Sequence, residues 1–75
     1  MIELTVPTAC RAKLDVFNTL GQSIRTVFDG AIDAGRYEFQ WDGRDASGNP
    51  VSSGVYFNRI DAGAFSDTKK MLLLK

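Results

Sequence analysis

The 75-residue sequence predicts an all-β fold, a small antiparallel β-sandwich of about seven short strands. Three observations predict it. Apolar and polar residues alternate with period two, helical periodicity is nearly absent, and turn residues recur about every 8–12 positions. A small open barrel is the alternative, because it shows the same spacing of strands and turns.

The first two strands are predicted from plain alternation. Residues 2–6 place their apolar side chains on one face and end at a proline, which cannot donate a hydrogen bond to a neighbouring strand. Residues 11–18 place Leu14 and Val16 on one face and Asp15 on the other, and they end in turn residues. We assign Leu14 and Val16 to the core.

The next two strands flank a predicted loop. Residues 23–28 form the third strand, and an Asp-Gly pair and an Ala-Gly pair bracket a loop over 29–35. Residues 36–41 form the fourth strand, the clearest of all, because aromatic side chains occupy every second position. The aromatic residues assigned to the core are Tyr37, Phe39 and Trp41.

Residues 42–50 carry the densest loop signal in the chain and its best candidate metal site. Asp42, Asp45, Ser47 and Asn49 are oxygen donors at near-alternate spacing, which suits a hard cation such as calcium. The spacing departs from that of an EF-hand, and Asp and Asn also occupy tight loops where they bond nearby backbone amides. The sequence favours this second interpretation, and we assign no metal ligand.

Two further strands complete the sandwich. Residues 54–61 form one, Ala62-Gly63 is the candidate hairpin turn, and residues 64–74 form the last. The last strand is apolar on both faces over 71–74, and residues 55–57 depart from alternation in the same way. Either the sheet twist and the sandwich ends cover both faces, or part of the outer face docks on another domain or partner.

Composition argues against several functional classes. Nine Lys and Arg against nine Asp and Glu give zero formal net charge, which lacks the basic surface that nucleic-acid binding needs. The longest uninterrupted apolar run, 71–74, is far shorter than a membrane span. There is no histidine, and Cys10, the only cysteine, is expected in a turn with nothing to activate it. A chain this short has no room for a large active-site cavity as well as a core. We therefore expect no enzyme activity, no cofactor and no small-molecule substrate.

Several motifs, in order, resemble a bacterial family. They read LDVFNTLGQ at 14–22, AG at 34–35, WDGRD at 41–45, SG at 47–48, SGVYF at 53–57 and KKMLLLK at 69–75, and residues 2–7 fit the family's first strand. With these motifs the chain resembles the Ig-like repeat found in the flagellar hook-capping protein and in the C-terminal sorting domains of type IX secretion cargo. The resemblance covers essentially the whole chain and implies an Ig-like or fibronectin-III-like sandwich.

The resemblance implies that residues 1–75 are a single Ig-like domain from the C-terminus of a larger bacterial protein. In the sorting family, secretion machinery at the outer membrane reads such a domain and delivers the protein, exported through the periplasm, to the cell surface. We take this sorting role as the main expectation, because the basic apolar strand closes the chain. The recognition residues that it implies are Gly54, Tyr56, Lys69, Lys70, Met71, Leu72, Leu73, Leu74 and Lys75.

The hook-capping protein implies an alternative function. There the same fold serves as a structural spacer or assembly module of an extracellular or flagellar protein, and its partners are domains of its parent protein. On this interpretation the lysines of 69–75 protect a sheet edge, since lysines flanking an exposed strand oppose edge-to-edge pairing.

Overall fold

Two antiparallel sheets of unequal size form the fold. The computed structural model of the chain describes residues 2–63 and 65–74. Its strands are β1 (Ile2–Val6), β2 (Cys10–Phe17), β3 (Ser23–Ile32), β4 (Gly35–Phe39), β5 (Gly54–Ala62) and β6 (Phe65–Leu73). The small sheet pairs β1 with β4, and the large sheet has the order β3-β2-β5-β6. The predicted all-β sandwich is confirmed, with six strands in the described residues where about seven were predicted, and two separate sheets instead of a barrel.

The core lies between the two sheets. The apolar residues of β1 alternate with exposed ones and are all buried. On β2, Leu14 is 1% and Val16 0% exposed. Leu14 is in register with Phe28 on β3 and Ile60 on β5, so these three side chains share the inner face of the large sheet. Burial of β1 against this face closes the sandwich.

The aromatic residues assigned to the core lie at its border. Tyr37, Phe39 and Trp41 are half-buried and pack against the buried cluster, and Trp41 follows β4 instead of belonging to it. The ring centroids of Phe39 and Phe28 are 5.4 Å apart, which places β4 over β3. Strand β3 is one edge of the large sheet. Since β1 is the neighbour of β4 and packs on the core, it lies toward the other edge, β6.

The loop after β4 closes one end of the sandwich. The Trp41 ring packs against Tyr56 of β5, and the Trp41 Nε1–H group donates a hydrogen bond to the Arg44 carbonyl oxygen at 2.9 Å. The Tyr56 hydroxyl donates to the Ser52 carbonyl oxygen at 2.7 Å. Both ends of the loop are thereby attached to the same pair of aromatic rings.

The start of β1 and the end of β6 both lie at this closed end. Ile2 is in register with Phe39, two residues before Trp41, and Leu73 is in register with Gly54, two residues before Tyr56. The turn between β5 and β6 lies at the opposite end.

Strand β3 extends four residues beyond the predicted 23–28. Asp15 is in register with Thr26 and Leu14 with Phe28, so Val27 is an extra residue, and a second irregularity occurs opposite Val16 and Phe17. Such bulges insert a residue and shift the alternation of a strand, so a prediction based on a two-residue period misplaces its end. Residues 29–32 pair with β2, and the predicted loop 29–35 shortens to the two residues between β3 and β4.

Other local predictions also shift. Cys10, expected in a turn, is the first residue of β2 and is in register with Ile32. Ala62, predicted in the hairpin turn, is in register with Phe65 and is the last residue of β5. Ala64, the predicted start of the last strand, lies outside the described residues.

Asp15 is buried although it lies on the outer face of the large sheet. The Thr26 hydroxyl donates a hydrogen bond to Asp15 Oδ1 at 2.6 Å, and the Lys13 ammonium lies 3.9 Å from Oδ2. A buried carboxylate needs such partners, because removing it from water is otherwise costly. This interaction ties β2 to β3 beside the bulge.

Candidate functional site

The candidate metal loop at 42–50 is held by its own backbone. Asp45 Oδ1 accepts hydrogen bonds from the amides of Ser47 at 2.9 Å and Asn49 at 3.0 Å. The Asp45 amide donates to the Asn49 carbonyl at 2.8 Å, and the Ala46 amide donates to the Ile24 carbonyl on β3 at 3.0 Å. The Asp45 carboxylate therefore organises the turn, and the Ala46 amide anchors it to the large sheet.

Asp42, the other carboxylate of this loop, faces two guanidinium groups. Its Oδ1 lies 3.6 Å from an Arg25 nitrogen, and its Oδ2 lies 3.9 Å from Arg44 Nε. Oδ1 also accepts the Arg44 amide at 3.1 Å. Among the described residues, no group of three or more His, Cys, Asp and Glu side chains is arranged to hold a metal ion. The geometry agrees with a self-bonded turn, and positive charge beside Asp42 opposes a cation there.

The recognition residues implied by the sorting family are divided among several environments. Tyr56 is buried, and Gly54 is half-buried at the start of β5. On β6, Met71 packs against the core and Leu73 is half-buried. The residues of this set that are exposed are Lys69, Lys70, Leu72 and Leu74. Lys75 lies outside the described residues.

An apolar patch lies on the outer face of the large sheet. Phe17 is in register with Phe57, and Val55 with Leu72. Phe17, Val55 and Phe57 are half-buried, whereas Leu72 is 63% exposed. We call these four residues the outer patch. Of the two interpretations of the departure from alternation, full coverage of both faces does not hold at Leu72.

A groove of about 710 Å³ lies between β1 and the inner face of β6. Ile60 and Leu14 contribute to its floor, and one wall is formed by consecutive residues of β1 together with residues 36–38 of β4. The other wall is formed by Phe65, Asp67 and Lys69 of β6. Sequence reasoning missed this groove because it depends on how far each sheet extends, which local patterns do not report.

No helix in the described part of the chain is long and apolar enough to cross a membrane.

The chain matches the family model described as the FlgD Ig-like domain over residues 2–64. Neither the curated proteins nor the solved structures gave a significant match. The family match supports the hook-capping part of the resemblance and gives no support to the type IX sorting part. It covers β1–β5 and ends before β6, on which most of the sorting residues lie. Since the match spans well over half of the 75 residues, the chain belongs to the FlgD Ig-like domain family.

Proposed function

We propose that the chain is a structural Ig-like module of a bacterial flagellar or related extracellular protein, and that it works by contact instead of catalysis. Membership of the FlgD Ig-like domain family carries the proposal. This is the alternative function implied by the resemblance to the hook-capping protein. It now takes precedence over sorting, because the match favours the flagellar branch of the resemblance.

The outer patch is the surface that would contact the parent protein. Leu72 is 63% exposed on β6 beside Val55, and Phe57 lies next to Phe17 on the same face. Apolar side chains gathered on a solvent-facing sheet surface are typical of contact sites. The module would thus dock this face on a neighbouring domain of the larger bacterial protein that carries it.

The first experiment separates the module from a sorting signal. Residues 1–75 would be fused behind a Sec-exported fluorescent reporter in a bacterium with a type IX system, beside a fusion that lacks 69–75. We expect both reporters to remain in the periplasm. Surface delivery that is lost with the truncation would overturn the proposal and establish sorting.

The second experiment tests the docking face. An apolar probe dye such as anilinonaphthalene sulfonate should bind the isolated chain, and Leu72→Ser should weaken this binding severalfold. Leu20→Ser is the matched control, because Leu20 is 81% exposed in the turn between β2 and β3 but is not one of the four residues of the outer patch. Absence of dye binding, or an equal effect of both variants, would contradict docking through the outer patch.

A further inference from the structure

We propose that the groove beside β1 accepts one extended strand of a partner polypeptide. Within residues 2–63 and 65–74, β1 pairs only with β4, so its second edge has no strand partner. An unpaired edge offers a row of backbone N–H and C=O groups to which another strand can add. The five residues of β1 would pair with an antiparallel segment of similar length.

The inner face of β6 is left uncovered over residues 65–69, whereas Met71, farther along the same face, packs against the core. Phe65, Asp67 and Lys69 are in register with Ala62, Ile60 and Asn58 of β5, so each pair points to the same side of the sheet. The three β5 residues are buried, but the three on β6 are exposed, with Phe65 at 40%. The small sheet therefore ends one strand too early to cover β6. A strand added about 4.8 Å beyond β1 would lie over this face.

The partner is a single strand and not a second copy of the folded chain. If the β1 edge of another copy paired here, that copy's own large sheet would have to lie beneath its β1. The first copy's β6 already occupies that space, since Phe65, Asp67 and Lys69 line the groove beside β1. A strand without a covering sheet avoids this overlap.

The charged residues around β1 indicate which side chains the added strand should have. Glu3 is directly opposite Glu38 in the small sheet, and both are exposed on its outer face, where Arg36 lies opposite Thr5. Like charges directly opposite each other destabilise a strand pair. A basic side chain opposite Glu3 would relieve this repulsion. The strand would place apolar residues toward the groove opposite Ile2, Leu4 and Val6, and a lysine or arginine outward opposite Glu3.

A tethered strand tests this proposal on the full chain. In place of Met1, the extension Val-Thr-Val-Lys-Val-Asn-Gly would be joined to Ile2, so that the Asn-Gly turn folds a five-residue strand back along β1. Its lysine then lies opposite Glu3 and its valines face the groove. We expect Tm to rise by about 5 °C or more. Exchange of the β1 amides that face away from β4 should slow at least tenfold.

Two controls keep the test decisive. The extension Val-Val-Lys-Thr-Val-Asn-Gly has the same composition, but its lysine points into the groove, and it should give neither effect. Replacing the lysine of the first extension with glutamate should reduce the gain in Tm, and Glu3→Lys should reverse the preference between lysine and glutamate. Equal Tm for the two extensions of identical composition, or unchanged amide exchange in β1, would overturn the proposal.

Discussion

The indole ring of Trp41 lies edge-on against the ring of Tyr56, with ring centroids 5.1 Å apart and an interplanar angle of 67°. This geometry is favourable for two aromatic rings, since the positive edge of one faces the negative face of the other. The contact joins the loop after the small sheet to β5 of the large sheet. It closes the end of the sandwich where β1 begins.

Trp41→Ala should destabilise the fold by about 3 kcal/mol, the lower end of the usual cost for a large aromatic residue because the ring is half-buried. Trp41→Phe keeps most of the packing and loses the hydrogen bond to the Arg44 carbonyl, so it should cost about 1 kcal/mol. Urea unfolding followed by circular dichroism measures both. A native-like midpoint for Trp41→Ala would contradict the role of this contact.

Asp45→Ala should lower the free energy of unfolding by about 1–2 kcal/mol, because the Ser47 and Asn49 amides lose their shared acceptor. Asp45→Asn retains a carbonyl oxygen at the same place and should cost less. The comparison of the two unfolding midpoints checks this. Equal losses would mean that charge, and not the two hydrogen bonds, is the important property of Asp45.

Calcium should leave the melting temperature unchanged. Asp45 already binds loop amides, and Asp42 lies beside Arg25 and Arg44. Melts in millimolar calcium and in excess chelator, followed by circular dichroism, test this directly. An increase in Tm that saturates with calcium would show that the loop is a cation site after all.

Gly54→Ala should lower the free energy of unfolding by about 1–3 kcal/mol, and backbone strain alone should cause the loss. Its φ of +153° is a conformation that side chains disfavour, yet a Cβ atom there would have no neighbour within 4 Å. Gly30→Ala is the matched control, since its φ is ordinary and its Cβ would make a 3.8 Å contact with the Phe28 ring. Thermal or urea unfolding should show Gly30→Ala as neutral or slightly stabilising. Similar losses for both variants would exclude backbone strain as the cause.

Gly63→Cys should form a disulfide with Cys10. A Cβ atom placed on Gly63 would lie 3.7 Å from the Cys10 Cβ, within the range of about 3.5–4.5 Å found in disulfides. A disulfide that closes so long a loop stabilises the folded state by roughly 4 kcal/mol. This gain exceeds the strain of about 1–2 kcal/mol that a side chain at φ +64° would introduce. The oxidised variant should melt well above its reduced form. Gly63→Ala, which has the strain without the bond, should melt below the parent chain.

Local patterns predicted the fold where each strand alternates without interruption. The apolar residues of β1 were placed on the correct face because no bulge shifts them. In β3 the extra residue Val27 breaks the period, so its extent was underestimated. Asp15 was expected on a solvated face, but its burial depends on Thr26, eleven residues away in the chain.

The candidate surfaces were predictable only in part. The apolar run 71–74 and residues 55–57 left two interpretations open, coverage of both faces or an apolar outer face that docks. Leu72 is 63% exposed, so coverage of this face is incomplete. The groove beside β1 arises because a two-stranded sheet covers a four-stranded one. That difference is a property of the assembled sheets, and no single strand's sequence contains it.

The shared location of Ile2 and Leu73 has a mechanical consequence. Any polypeptide joined at both positions would enter and leave through one end of the sandwich, so the domain would project sideways from the line of the longer chain. Tension applied between the two positions would pull Leu73 away from Gly54 and Ile2 away from Phe39, so that each terminal strand separates from its neighbour pair by pair. Such peeling breaks few hydrogen bonds at a time, so the domain would yield to a smaller force than one whose strands are sheared along their length.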